Sequence, residues 1–396
     1  MSERVSTSTA TGTLGTPTDI LIIGAGPAGL AVAGCLVQRG LRPPMLIEKA
    51  GAVAAAWRAH YERLHLHTIK ALSALPGVAF PDHYPRYVPR QAMVDYLSAY
   101  AETHRIAPHL GEEAVAITPA QGGWQTATAT GRRFISRAVV LATGANCQPR
   151  VPAFEGQTSY RGRIVHSHAY RDAARFAGQS VLVVGMGNTG AEIALDLAEQ
   201  GVRAALSVRS PINIVHRDVF GRPTQLTSIA LAKLPNAWGD ALAAVLRNLT
   251  VGNLHRWGLQ TSPVSPLRQL REHGKTPVID VGTLARIKRG DILVHPGIER
   301  FTPLGVRFVD GTEESFDTVI LATGYEAQVQ RLFPATPIRI DRNGMPIDVI
   351  GRGALAGLYF VGFDIRQPGG LLRAINAQAR RVAQALDENR AGAAAG

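Results

Sequence analysis

Two stretches of the chain pass from a short apolar run of strand type into apolar residues at helical spacing, and both make the change through three glycines. In "DILIIGAGPAGLAVAGCLVQRG" the run Ile20–Ile23 leads through Gly24-x-Gly26-x-x-Gly29 into alanines, leucines and valines of helical period. "SVLVVGMGNTGAEIALDLAEQG" repeats the plan with Gly185, Gly187 and Gly190. A further strand follows each, "MLIEK" and "AALSVRS". Each unit then closes through a hairpin of β-formers into a buried run that stops at glycine, Leu141–Gly144 ("LATG") and Leu321–Tyr325 ("LATGY"). The pattern predicts an α/β fold of two Rossmann-like dinucleotide-binding domains, the second inserted in the first. The expected boundaries are 18–165 and 318–390 for the first domain and 166–317 for the second.

The glycines have physical work in such a turn. The first permits the tight bend, the second lets the chain approach a pyrophosphate, and the third lets helix and strand pack closely, so that the helix N-terminus faces the phosphate charge. The first unit's next strand ends in Glu48, placed to bind the hydroxyls of a free ribose. The second unit's ends in Arg209 and Ser210. A carboxylate there would repel a 2′-phosphate, whereas arginine and a hydroxyl accept one, so this unit is expected to prefer NADPH.

Composition adds limits. With 396 residues, 46% hydrophobic and 18% charged, the chain suits two core-forming domains and not a disordered polymer. Lys and Arg exceed Asp and Glu by 12, yet they are scattered singly; no nucleic-acid motif accompanies them, and an anionic dinucleotide accounts for some. The two cysteines, Cys35 and Cys147, form no Cys-x-x-Cys, which excludes a dithiol redox centre, a disulfide reductase and a zinc ribbon. Residues 1–17 and 391–396 are expected to be disordered tails. No signal-type or spanning apolar run occurs, and the expected location is cytoplasmic. Residues 220–275, Leu/Ala-rich and broken by Pro235, Gly239, Pro263 and Pro266, predict a helical insertion. It either packs on the domain or, with Lys233, Arg247 and Arg256 among its apolar residues, makes weak contact with a membrane surface.

The segment "YRGRIVHSHAY" (160–170) puts His166 and His168 two apart. Both could ligate zinc from a strand, but a site needs further ligands. The segment resembles instead the fingerprint F-x-G-x-x-x-H-x-x-x-(Y/F) of class B flavin-dependent monooxygenases, with Tyr160, Gly162, His166 and Tyr170 at the pattern positions. Its terminal tyrosine resembles the N/S-oxygenating branch; the Baeyer–Villiger branch usually ends in tryptophan. Over most of its length the chain is further similar to the YUCCA-type flavin monooxygenases. The similarity runs through "ERLHLHTIKALSALP", "FPDHYPRYVPRQAMVDYLSAYA", "VRFVDG" and above all "GKTPVIDVGTLARIKRGDILVHPGIERF" (274–301), which follows no generic cofactor pattern. One departure stands out: "GFDIRQPGGLLRAI", with an insertion around Pro368 in a loop expected near the flavin.

The resemblance implies that FAD is reduced by NADPH and reacts with O2 to a C4a-(hydro)peroxyflavin. The implied reaction is oxidative decarboxylation of a 2-oxo acid such as indole-3-pyruvate to indole-3-acetate. Alternatives are N-, S- or ketone oxygenation of another small molecule, or a non-catalytic sensor of FAD and NADPH. FAD is assigned to Gly24, Gly26, Pro27, Ala28, Gly29, Glu48 and Lys49, with Trp57 and Arg58 over the flavin. Gln91, Val115, Thr143, Gly144, Thr323 and Gly324 are expected to line the cofactors. NADPH is assigned to Gly185, Gly187, Asn188, Thr189, Gly190, Arg209 and Ser210. Relatives of the N-oxygenating type hold the oxygenated flavin with an asparagine three residues before a lysine; His67 and Lys70 occupy those places, and His166 is expected near the cofactors. Alternatively, His65 and His67 are same-face residues of a strand. No metal is expected. The expected partner is a small molecule, without nucleic acid, and a homodimer stays open.

Overall fold

A computed structural model of the chain describes residues 16–395. Ile20–Ile23 ends strand β1 (Thr16–Ile23), and the helical pattern after the glycines is α1 (Pro27–Gln38). The first unit continues with β2 (Met45–Glu48), α2 (Ala55–Arg58), α3 (Arg90–Thr103), β3 (His109–Leu110), β4 (Ala114–Ala120), β5 (Gly123–Thr128) and β6 (Arg133–Leu141). Its sheet has the order β3-β2-β1-β6-β5-β4, parallel from β3 to β6 and antiparallel through the meander β4–β6. Because successive strand residues point to opposite faces, the unbroken apolar run serves two cores. Ile20 and Ile22 pack with α1 and α3, whereas Leu21 and Ile23 pack with Trp124, Phe333 and Phe360 on the other side.

The chain leaves through β7 (Gln148–Pro149). The second sheet is built from β8 (Arg163–His166), β9 (Ser180–Val184), which leads into α4 (Asn188–Glu199), and β10 (Arg203–Ser207). The insertion follows: β11 (Ile214–His216), β12 (Asp218–Val219), β13 (Arg222–Pro223), α5 (Thr224–Leu231), α6 (Asn236–Val251), α7 (Pro266–His273) and β14 (Val278–Asp280). Then come α8 (Thr283–Arg289), β15 (Ile292–His295), a meander of β16 (Ile298–Phe301), β17 (Gly305–Phe308) and β18 (Glu313–Ser315), and β19 (Thr318–Leu321). The parallel order is β15-β10-β9-β19-β8, and Val181 and Val183 again face one core while Leu182 and Val184 face the other. β20 (Tyr325–Glu326) pairs antiparallel with β7, so the two crossings between units lie side by side. β21 (Leu358–Phe360) then returns to pair with β6, and α9 (Leu371–Ala395) packs on α1.

Three expectations need correction. Boundaries at 165 and 318 would cut β8 and β19 away from the second sheet, although β19 is paired on both edges, with β8 and with β9. A fully buried strand such as Val319–Leu321 needs both ladders, so the second unit extends from after β7 to before β20. Thr16 and Pro17 belong to β1, paired with Phe134 and Ile135, and not to a disordered tail. Residues 391–395 continue α9 because alanine is the strongest helix former; residues 1–15 lie outside the described part. No helix among the described residues is long and apolar enough to cross a membrane.

The insertion is packed on one face and bare on the other. Both charges of α6 turn inward: Asp240 pairs with Arg271, and Arg247 is buried. Trp238, Leu242, Val245 and Leu249 are left on the exposed side. The Arg247 guanidinium donates to Asn213 Oδ1, the Ser262 carbonyl (2.9 Å) and Asn248 Oδ1, with no carboxylate among these partners; burial lowers its pKa. Arg247→Leu orphans these acceptors and should lower unfolding stability by roughly 2–4 kcal/mol, read from urea melts.

Candidate active site

The two glycine turns have the same anatomy. Gly24 has φ +108° and Gly185 φ +98°, and a Cβ on either would stand 2.6 or 2.8 Å from the carbonyl of Ala142 or Ala322. A Cβ on Gly29 or Gly190 would come within 1.9 Å of the Gly24 or Gly185 oxygen, so only glycine seats each helix on its strand. At Gly26 and Gly187, by contrast, a Cβ would meet nothing within 4 Å. These two open positions are the N-caps of α1 and α4, and neither helix has a side-chain cap or an acid in its first turn. Unpaired amides at an open, uncapped helix end form a cradle for an anion. A dinucleotide pyrophosphate fits both cradles.

What flanks the cradles differs. Glu48 is buried beside the first, its carboxylate accepting from Ala25 N (2.7 Å) and Ala50 N (2.9 Å) with lone pairs to spare. Lys49 beside it is exposed. Val115 sits at a bulge of β4, three residues after Glu112, whose N–H donates to the Glu48 carbonyl (2.9 Å). Pro27 and Ala28 open α1; Thr143 and Gly144 leave β6 where Gly24 approaches Ala142. Beside the second cradle the Ser207 carbonyl accepts from Gly185 N (2.9 Å), and Arg209 and Ser210 follow, both exposed. Thr189 stands in the first turn of α4, but the Asn188 side chain turns away, tying Ile279 N (2.7 Å) and the Pro277 carbonyl (3.3 Å).

Of the fingerprint residues, Tyr160 and Gly162 knit the second unit together, while His166 reaches the crossing and Tyr170 packs edge-on against Tyr61. Tyr160 donates to the Phe316 carbonyl (2.7 Å), and a Cβ on Gly162 would strike that hydroxyl. Tyr170 donates to Asp196 of α4 (2.6 Å). His166 Nδ1 accepts from His168 N (3.1 Å), which leaves Nε2–H for the Gly324 carbonyl (3.2 Å); burial holds its pKa below the ordinary value. His166 and His168 both pack on Tyr325. Thr323 donates to the Arg150 carbonyl, and Gly324 accepts from Arg150 N (2.9 Å), locking the paired crossing.

The segment 60–70 runs from the first unit to α4. His65 and His67 do not share a strand face: His65 bonds the Arg63 carbonyl (2.7 Å) at the surface, while His67 Nε2 reaches Glu192 Oε1 (2.6 Å). Lys70 is not in the site. Its ammonium donates to the carbonyls of Pro81 (3.3 Å), Asp82 (2.8 Å) and Tyr84 (2.8 Å), which takes all three of its protons. Gln91 is likewise occupied, with Asp95 (2.9 Å). Trp57 and Arg58 lie on α2, next to the first cradle through Ala54 N to the Ala25 carbonyl (3.1 Å); Arg58 donates to Val53 O and Ser98 Oγ. Four residues here went unread. Glu192, buried in α4, showed as an acid in an apolar helical pattern. Gln225 bridges Ile69 N (2.8 Å) and the Gly369 carbonyl (2.6 Å), roofing the segment with the altered loop, and had no sequence signal. Tyr61 is raised well above its ordinary pKa by burial and by Glu192. His60, edge-on to Trp57 and Tyr61, is lowered to about 4, first by burial and then by His168 and Arg171.

Two anion cradles, differently flanked and joined by a locked crossing, define a protein of two dinucleotide-binding domains. The chain belongs to the flavin-binding monooxygenase-like family (FMO-like), whose family model matches residues 18–386. It is 39% identical to indole-3-pyruvate monooxygenase YUCCA1 of Oryza sativa subsp. japonica, over 87% of this chain and 86% of that protein. The fold is similar to a flavin-containing monooxygenase from Stenotrophomonas maltophilia (TM-score 0.72, 21% identity, 94% and 99% of the chains). It is also similar to OTEMO in complex with FAD and NADP (TM-score 0.68, 17% identity, 96% and 87%). The protein is a flavin-dependent monooxygenase.

His60 makes the site sensitive to acid. Between pH 6.5 and about 4 the unfolded chain takes up a proton that the folded chain refuses, so stability should fall as pH drops through that window. His60→Gln should flatten that slope in urea midpoints measured against pH.

Proposed function

We propose that FAD lies on the first cradle and NADPH on the second, and that the enzyme oxygenates a 2-oxo acid of the indole-3-pyruvate type with loss of CO2. The contrast between the two strand ends carries the cofactor assignment. Glu48 suits a ribose with free hydroxyls, and Arg209 with Ser210 suits a 2′-phosphate. The substrate rests on similarity to the plant enzyme across nearly the whole chain. Bound FAD, reduced by NADPH, supplies the activation of O2.

The chain's own residues orient and shield. The uncapped ends of α1 and α4 neutralise the two pyrophosphates. Segment 60–70, roofed by Gln225 and by Gly369–Gly370, excludes water, and His67 holds or takes up a proton beside the reacting centre. Gly370 packs so tightly that a Cβ there would stand 2.6 Å from Thr68 Cγ2, so the altered loop shapes this roof directly. Because this roof is built from the loop that departs from the family's pattern, the second reading is a small amine, sulfide or ketone in place of the keto acid.

Arg209→Gln should weaken NADPH binding by about 10- to 100-fold, the worth of a charge-assisted hydrogen bond, and leave NADH binding unchanged. Equilibrium titration with both nucleotides decides it. Indole-3-pyruvate should accelerate NADPH oxidation and yield indole-3-acetate and CO2 one for one with little hydrogen peroxide. NADPH oxidation indifferent to the keto acid would sink the substrate assignment; acceleration by an amine, sulfide or ketone instead would support the second reading. FAD and NADPH bound with no oxidation at all would leave only a sensor.

A further inference from the structure

We propose that Glu192 is a positioning residue: it reaches across the two domains to hold the His67 ring in one tautomer, leaving Nδ1 as the atom that handles the proton. The proposal rests on the reading of His67 as the proton-handling group of the site.

Glu192 is 3% exposed, and a carboxylate so far from water is costly unless it is bonded and charge-compensated. Its partners come from the other unit. His67 Nε2 lies 2.6 Å from Oε1, slightly shorter than the ~2.7–2.9 Å usual for a charge-assisted N–H···O bond, and the Tyr61 hydroxyl stands beside it. An ionised carboxylate only accepts, so the hydrogen of this bond belongs to Nε2. In the neutral ring Nδ1 is therefore a lone pair. No group among the described residues bonds it, and the side chain keeps 17% exposure.

Other histidines of the chain show the difference. His216 bonds Asp280 through Nδ1 (3.0 Å) but spends Nε2 on the Thr250 carbonyl (3.3 Å). His166 spends both nitrogens on the backbone. Those rings are closed, and a small molecule finds no free nitrogen on either. The His67–Glu192 pair is an imidazole–carboxylate dyad with one end open. A proton leaving a bound acid or water forms the Nδ1–H bond as its old bond breaks, and the ring's new positive charge lies against the Glu192 carboxylate. Release of that proton to solvent restores the ring.

The dyad also depends on the two domains being together. Glu192, Asp196 and Glu199 lie along one face of α4, at spacings of four and three. Glu199 holds Arg63 and Asp196 holds Tyr170, while Glu62 N donates to the Arg171 carbonyl (2.9 Å). The Arg63 and Glu62 ties, with Tyr61 edge-on to the Tyr170 ring, hold segment 60–67 against the unit whose α4 N-terminus forms the second cradle. The fixed tautomer, with Nδ1 as its bare nitrogen, thus exists only while that cradle faces the first unit.

The test uses the FAD-loaded protein with 15N-labelled histidine and long-range 1H–15N correlation, the His67 signals being those lost in His67→Gln. The ring should be protonated at Nε2 and bare at Nδ1 in the unsubstituted protein. Glu192→Gln, whose amide oxygen can accept the same bond, should keep that pattern, and Glu192→Leu should lose it. Glu192→Leu should also raise the hydrogen peroxide formed per NADPH by about tenfold, a modest share of what general acid–base groups supply. The Gln variant, lacking the charge, should fall between, with KM for NADPH little moved in either. A His67 ring protonated at Nδ1, or one pattern in all three proteins, overturns the proposal. Should the Leu variant fail to retain FAD, the unsubstituted and Gln spectra still decide the tautomer. The predicted tautomer with no oxygenated product from any substrate would sink the functional reading and leave the positioning intact.

Discussion

Each helix of the two nucleotide turns sits on its strand because one side chain is missing. With a Cβ at Gly29 or Gly190 the helix would have to back away from the Gly24 or Gly185 carbonyl, and its first amides would no longer point out over the strand end. Everything that makes the molecule a flavoprotein follows from that seating. The open Gly26 and Gly187 positions become cradles only because the third glycine brings the helix axis in line with them. The long apolar strands beneath are the support: their residues are divided between two cores, so the turn stands on a sheet that cannot tilt without emptying one.

Two such units would be independent binders unless something joined them. The joining is done twice, by different chemistry. At the crossing, β7 and β20 pair through backbone bonds, and His166 and Thr323 lock that turn with side chains. Across the cleft, segment 60–67 lies on two acids of α4, Glu192 and Glu199. Both joints bring together residues far apart in sequence: the first is built mainly of backbone bonds, with one exposed ion pair between Arg150 and Glu326, and the second rests on side-chain carboxylates.

Much of this was legible in the chain. Period-2 and period-3.6 patterns, interrupted by glycines at fixed spacing, report directly on local geometry, and both turns, the Glu48 strand end and the meanders lay where those patterns put them; the second flanking strand stops at Ser207, two residues short of Arg209. Lys70 was not legible. Its spacing from His67 was right, but three carbonyls from a loop eleven to fourteen residues on had the stronger claim on its protons. Likewise "LATGY" read correctly as a closing strand, yet its sheet was decided by β8, more than 150 residues earlier.

The sequence by itself determined the α/β class, the two cradles and their different strand ends, because each is a matter of backbone conformation or charge within one short segment. The tertiary structure alone decided which histidine is open and which is closed. His67, His166 and His216 are the same side chain in three unremarkable local contexts. What sets them apart is whether the second ring nitrogen finds a partner: the Thr250 carbonyl for His216, the His168 amide for His166, and none among the described residues for His67. A hydrogen bond reaches only about 3 Å, so for His67 and His216, whose carboxylate partners come from distant elements, that question is settled by packing and leaves no trace in the neighbouring residues.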